Sequence, residues 1–199
     1  MSKPFNPLDM HNLAASIVTC LEKIEPIPLD EVAQFNGAGI YALYYVGAFP
    51  AYLQIAERNI SHYTEPIHVG KAVPPGGRCG ITAETRTMAL FKRLNDHVKS
   101  IRAAENLDIA DFHARWLVME DIWIPLGESV MIRRYAPVWN AVLDGFGNHD
   151  PGKGRINGVR SKWDTLHPGR PWAAKFPPNP ESAFVIRQEV TEYLRSRLA

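Results

Sequence analysis

At 199 residues with 46% hydrophobic side chains, the chain is long enough to bury a core of ordinary size in one compact unit. Its 22 Lys and Arg against 21 Asp and Glu leave no global basic excess, so any surface for nucleic acid must be local. Cys20 and Cys79 stand far apart with no Cys or His at zinc spacing, which points away from a disulfide scaffold and a zinc module, and no secretion signal or membrane-spanning apolar run is evident. A soluble protein of the reducing cytoplasm is expected.

Over residues 7–25, Leu8, Leu13, Ile17, Val18 and Leu21 recur near helical spacing, with Asn6 placed to cap and Pro26 to stop the helix. After the Gly37-Ala38-Gly39 turn, residues 40–46 are aromatic and β-branched and predict a strand; residues 66–70 predict another. The intervening segment, with Ala51-Tyr52-Leu53, predicts a hairpin or a three-stranded meander, and the run of Pro and Gly over residues 73–78 predicts a loop. Leu90, Leu94, Val98 and Ile101 share one face of a helix predicted over residues 87–104. Residues 112–118 alternate as a strand, and residues 122–135 return to helical spacing before Pro137. Residues 145–175, rich in Gly, Pro and positive charge, predict a long functional loop, and residues 180–198 a closing helix.

On these elements Gly39-Ile40-Tyr41 and, later, His68-Val69-Gly70-Lys71 resemble the two motifs that name the GIY-YIG nucleases. Arg93 and His97 one helical turn apart, then Glu128, then Asn140, follow in the family's order. The resemblance covers roughly residues 37–140. It implies an α/β (α+β) fold: a small, mainly antiparallel three-stranded sheet flanked by helices. The chain divides into an N-terminal helical arm (1–36), a catalytic core (37–144) and a basic DNA-binding loop with a C-terminal helix (145–199), all in one compact domain. The N-terminal helix, the long insertion between the motifs and the basic extension resemble the type II restriction branch.

The resemblance implies that Glu128 holds a Mg²⁺ ion, for which Mn²⁺ can substitute, that Arg93 and His97 clamp phosphate and accept a proton, and that Tyr41 helps to activate the attacking water. The chemistry agrees, because hydrolysis of a phosphodiester needs a base, positive charge for the phosphorane oxygens and help for the leaving 3′-oxygen. Tyr41, with an ordinary pKa of about 10, must be activated or relay its proton to His97. His68 departs from the family, which carries a second Tyr there; imidazole still donates or accepts a hydrogen bond. Either the enzyme works with His68, or His68 weakens it. Lys71 is expected to reach a phosphate, and Asn140 to orient a backbone turn or a neighbouring catalytic group. Taken singly, each of these residues is an ordinary solvated or packing side chain; the ensemble carries the argument.

Lys153, Arg155, Asn157, Arg160, Lys162 and Arg170, interleaved with Trp163 and Trp172 and with only Asp164 as an acid, predict a DNA-embracing loop. The expected partners are double-stranded DNA, a second copy of the chain at least on DNA, and in the host a separate cognate DNA methyltransferase. The expected target is a G·C-rich palindrome, with CCGCGG the preferred guess. Two alternatives stay open: a homing or repair-type nuclease on the same core, and a DNA-binding protein catalytically weakened at His68. A third is an unrelated domain whose motifs match by chance.

Overall fold

The computed structural model describes residues 9–73, 87–150 and 158–199. Its centre is a strand that cannot face water on either side. Strand β2 (Gly39–Tyr45) is buried at all seven positions, which is why its sequence is an unbroken apolar and aromatic run rather than an alternating one. Ile40, Ala42 and Tyr44 enter one core with Val18, Leu21, Ile124 and Met131, whereas Tyr41, Leu43 and Tyr45 enter a second, larger core with Leu90, Leu94, Ile101 and Phe112.

Among the described residues the sheet has four strands in the order β1-β4-β2-β3, all antiparallel: β1 (Ile27–Pro28), β3 (Pro66–Ala72) and β4 (Phe112–Val118) complete it. The three predicted strands are therefore joined by a fourth, too short to show alternation. Its Pro28 is tolerated because β1 lies at the sheet edge.

Helix α1 (Met10–Glu22) begins inside the predicted span, and the expected cap Asn6 lies outside the described residues. Most of the predicted loop over residues 73–78 lies outside them too. The segment between the motifs is not a hairpin or meander. It forms a 3₁₀ turn (Pro50–Tyr52) and helix α2 (Leu53–His62), because Tyr52, Ile55, Ala56 and Asn59 fall on one buried helical face. Tyr63 closes α2 in the left-handed region with φ of 47°.

Helix α3 (Ala89–Ala103) buries Leu90, Leu94, Val98 and Ile101, as the spacing predicts. Helix α4 (Ile124–Tyr135) is followed by the short α5 (Val138–Ala141). The predicted loop over residues 145–175 contains a further element, α6 (Lys162–Leu166), capped by the Ser161 hydroxyl, which accepts from the Asp164 amide. Helix α7 (Ala183–Leu198) closes the chain. Trp163, Leu166, Ile186, Val190, Leu194 and Leu198 from this C-terminal part belong to the same larger core as Tyr41 and Leu43, and α7 packs on α2, α5, α6 and the 3₁₀ turn before α2.

That core also holds a polar chain. The Trp139 indole N–H donates to the Tyr52 hydroxyl (2.9 Å), which lies 2.6 Å from His167 Nε2, while His167 Nδ1 meets Asn106 Oδ1 at 2.9 Å. Burial pulls the His167 pKa down to about 3, with Arg187 adding to it.

Candidate active site

Tyr41 lies directly opposite Gly70 of β3 and Trp116 of β4. A Cβ at position 70 would overlap the Tyr41 hydroxyl and ring. The glycine of the second motif thus lets the phenol cross the edge strand, and the two motifs form one interlocked pair. Gly39 has the same kind of requirement, since a Cβ there would overlap the Leu117 carbonyl.

The Tyr41 oxygen sits 2.6 Å from His97 Nε2 and accepts a longer bond, 3.4 Å, from Arg93 Nε. Because Arg93 donates to that oxygen, the hydroxyl proton is free to point at an unprotonated His97 Nε2. Electrostatics favour the same assignment. Burial lowers the His97 pKa well below 6.5, reinforced by His68, Arg93, His149 and Arg170. Burial also pushes Tyr41 up to about 12, against the opposing pull of Arg93, with Glu128 adding to the rise. The pair therefore rests as neutral phenol and neutral imidazole.

His68 is 8% exposed and belongs to the same cluster, its ring centroid 6.0 Å from that of Tyr41 and 5.5 Å from that of His97. Burial, then Arg93, pull its pKa down to about 3, and its buried Nδ1 has no hydrogen-bond partner among the described residues. The next residue is clamped. The Asn140 carboxamide accepts from the Val69 amide and donates to the Val69 carbonyl, both at 2.8 Å. Strand β3 is an edge strand, and one side chain there does the work of a neighbouring strand, fixing the backbone beside His68.

Three imidazoles held neutral by burial make the fold acid-sensitive. In the unfolded chain each titrates near 6.5, whereas the native pKa of His68, His97 and His167 lies lower. Below about pH 6.5 the unfolded state therefore binds more protons, and the stability present above that pH is lost as pH falls towards the native values. Thermal melts from about pH 7.5 to pH 5 are expected to show a falling midpoint; a flat profile would show that these imidazoles are not held neutral.

Glu128, in the second turn of α4, forms an ion pair with Lys71 (Nζ to Oε2, 2.6 Å), both side chains partly exposed. The Lys71 ammonium stands where the carboxylate favours a cation. Among the described residues no group of three or more His, Cys, Asp and Glu side chains is positioned to hold a metal ion.

Sequence reasoning missed a strap over the site at residues 145–149. Phe146 stacks on His97 (4.4 Å, 13°) and meets His68 edge-on (5.1 Å). Arg93 Nη1 donates to the Gly147 carbonyl (3.2 Å) and lies 3.1 Å from His149 Nε2. Only the single aromatic of Gly145-Phe146-Gly147 hinted at this role.

The predicted DNA-binding set divides. Lys153, Arg155 and Asn157 lie outside the described residues. Arg160 is partly exposed, its Nε donating to the Ala173 carbonyl. Lys162 is instead spent on Glu181 (3.0 Å) and Glu189 (2.7 Å), acids from beyond the basic stretch that its local charge balance leaves out. Arg170 is 4% exposed and paired with buried Asp164, so it faces inward and not towards DNA.

Among the described residues no helix is long and apolar enough to cross a membrane. The family model of the Eco29kI GIY-YIG domain matches residues 33–194, most of the chain. No curated protein matches the chain. A match of that extent, on a fold whose central strand carries Gly39-Ile40-Tyr41 and whose edge strand carries His68-Val69-Gly70, makes the chain a member of the Eco29kI family of GIY-YIG restriction endonucleases, and so a nuclease.

Proposed function

We propose that this nuclease is a type II enzyme that hydrolyses both strands of double-stranded DNA at a G·C-rich palindrome, CCGCGG, in a Mg²⁺-dependent reaction. The observation that carries the reading is the Tyr41–His97 contact at 2.6 Å, with Arg93 on the same oxygen and both groups neutral.

In this mechanism Tyr41 receives a proton from the attacking water as it passes its own to His97 Nε2. A free tyrosinate is thereby avoided in a site where burial disfavours it. Arg93 faces the phosphate and balances the charge that builds on its oxygens. His68, neutral and buried, offers a hydrogen bond to the water or the phosphate where relatives carry Tyr. Asn140 keeps the His68 backbone in place through Val69.

The donor set fits Mg²⁺, which keeps several waters and is commonly bound by one or two carboxylates plus substrate phosphate. Glu128 would hold the ion, which when bound supplies Lewis-acid stabilisation of the phosphate and its leaving oxygen. Lys71 would then release Glu128 and turn to a phosphate. Manganese, another hard cation, would substitute.

Cutting a palindrome in both strands calls for two copies related by a two-fold axis, so a homodimer is proposed at least on DNA. A separate methyltransferase protecting the same sequence completes the proposal, as does residence in the cytoplasm. Arg160, with Lys153, Arg155 and Asn157 beyond the described residues, is the proposed DNA-contacting set.

The test is digestion of plasmid DNA by the protein and by His68→Tyr, with Mg²⁺ and with EDTA, followed by sequencing of the ends. Discrete ends at CCGCGG, seen only with Mg²⁺, are expected. A faster His68→Tyr would mean that His68 tempers the enzyme, and a slower one that the site is tuned to imidazole. Ends scattered over degenerate or branched sites would favour a homing or repair nuclease. DNA binding with no cleavage by either protein would favour a decayed site.

A further inference from the structure

Arg170 donates five hydrogen bonds, the full complement of a guanidinium. Two go to Asp164, from Nε (2.6 Å) and Nη2 (2.7 Å). Three go to backbone carbonyls of the strap: Gly145 (2.8 Å), Phe146 (3.0 Å) and Asn148 (3.2 Å). The guanidinium is also stacked between Trp163 and Trp172, 4.5 and 4.6 Å from their ring centroids. A buried ion pair alone would need only Asp164. Three bonds to a four-residue segment without regular secondary structure instead give that segment one conformation.

What the strap does with that conformation is specific. Phe146 lies flat on His97, excluding water from the imidazole, and Gly147 and His149 hold the Nη1 end of Arg93, whose Nε reaches the Tyr41 oxygen. We infer that Arg170 is a positioning residue for catalysis: through the strap it sets the Phe146 cover on His97 and the orientation of Arg93, while touching no substrate itself. The inference rests on the endonuclease reading above for its effect on rate, but not for its effect on structure.

Lysine is the informative replacement, because it keeps a charge for Asp164 but lacks the planar fork that reaches three carbonyls and stacks between indoles. Trp172→Leu is a milder companion: it removes one stacking partner at a partly exposed position and leaves the ion pair in place.

Both variants and the unaltered protein, carrying isotope-labelled histidine, would be compared by NMR, melting and steady-state cleavage of plasmid DNA. The stacked Phe146 ring displaces the His97 ring signals upfield, and this displacement is expected to shrink in both variants. With it kcat should fall about tenfold while KM stays within about threefold, since an ångström of misplacement near the chemistry costs rate rather than binding. An unchanged His97 signal in folded variants overturns the inference. So does a loss confined to KM, which would return Arg170 to the DNA-contacting set. If the unaltered protein leaves DNA intact, the endonuclease reading falls, and the His97 signal still decides whether Arg170 governs the strap.

Discussion

Tyr41→Phe is expected to fold normally and to lose between about a hundredfold and ten-thousandfold in kcat, the range that positioned proton transfer contributes. Only the hydroxyl is removed. The ring still fills the space above Gly70 and keeps its place in the larger core, so packing is preserved. What disappears is the atom shared by His97 and Arg93. His97 Nε2 would then be buried without that partner, at a cost of about 1–3 kcal/mol, visible as a lowered melting temperature in a still-cooperative transition. Single-turnover cleavage beside DNA binding separates the effects: binding should be nearly unchanged, because Tyr41 is completely buried and contributes little surface. A near-normal rate would mean that the water delivers its proton elsewhere.

Much of this was legible in the sequence because the elements that carry the candidate site residues are also those with the strongest patterns. The first motif lies on the central strand, where burial on both faces forces a continuous apolar run. Arg93 and His97 ride a helix whose Leu90, Leu94, Val98 and Ile101 fix its inward face. The order of Tyr41, His68, Arg93, His97, Glu128 and Asn140 along the chain marks the candidate set, and the sheet register brings Tyr41 and Gly70 face to face.

The remainder depends on long-range pairing, which local pattern does not encode. Helix α2 has no clear local signal because Ala51-Tyr52-Leu53 fits strand and helix equally over so short a window, and its buried face becomes plain only with Ile55 and Asn59. The charge balance of residues 152–175 makes Lys162 and Arg170 look free, yet Lys162 is met by Glu181 and Glu189 and Arg170 is drawn inward by Asp164 between two indoles. Of the two Trp residues interleaved with that charge, Trp163 is core and, with Trp172, encloses the Arg170 guanidinium. Likewise Asn140 found its partner in the backbone of Val69, which no sequence spacing announces.

Glu128→Ala is expected to abolish Mg²⁺-dependent cleavage and to leave DNA binding intact or strengthened. The side chain is partly exposed and appears in neither core, so truncation costs little stability. Its loss removes the carboxylate proposed to hold the ion, and one negative charge from a surface that must approach phosphates. It also frees the Lys71 ammonium, otherwise 2.6 Å from that carboxylate, to meet DNA. Binding in EDTA over a series of salt concentrations should therefore show equal or greater affinity, with a slope steeper by about one if Lys71 gains a phosphate contact. Cleavage with Mg²⁺ or Mn²⁺ should stay at background even when the metal is in large excess. Unchanged cleavage would remove Glu128 from the metal role and leave its ion pair with Lys71 as a surface contact of small consequence. Loss of DNA binding together with cleavage would instead mean that the ion pair orders the DNA-facing edge of β3, with Lys71 needing Glu128 to stay in place.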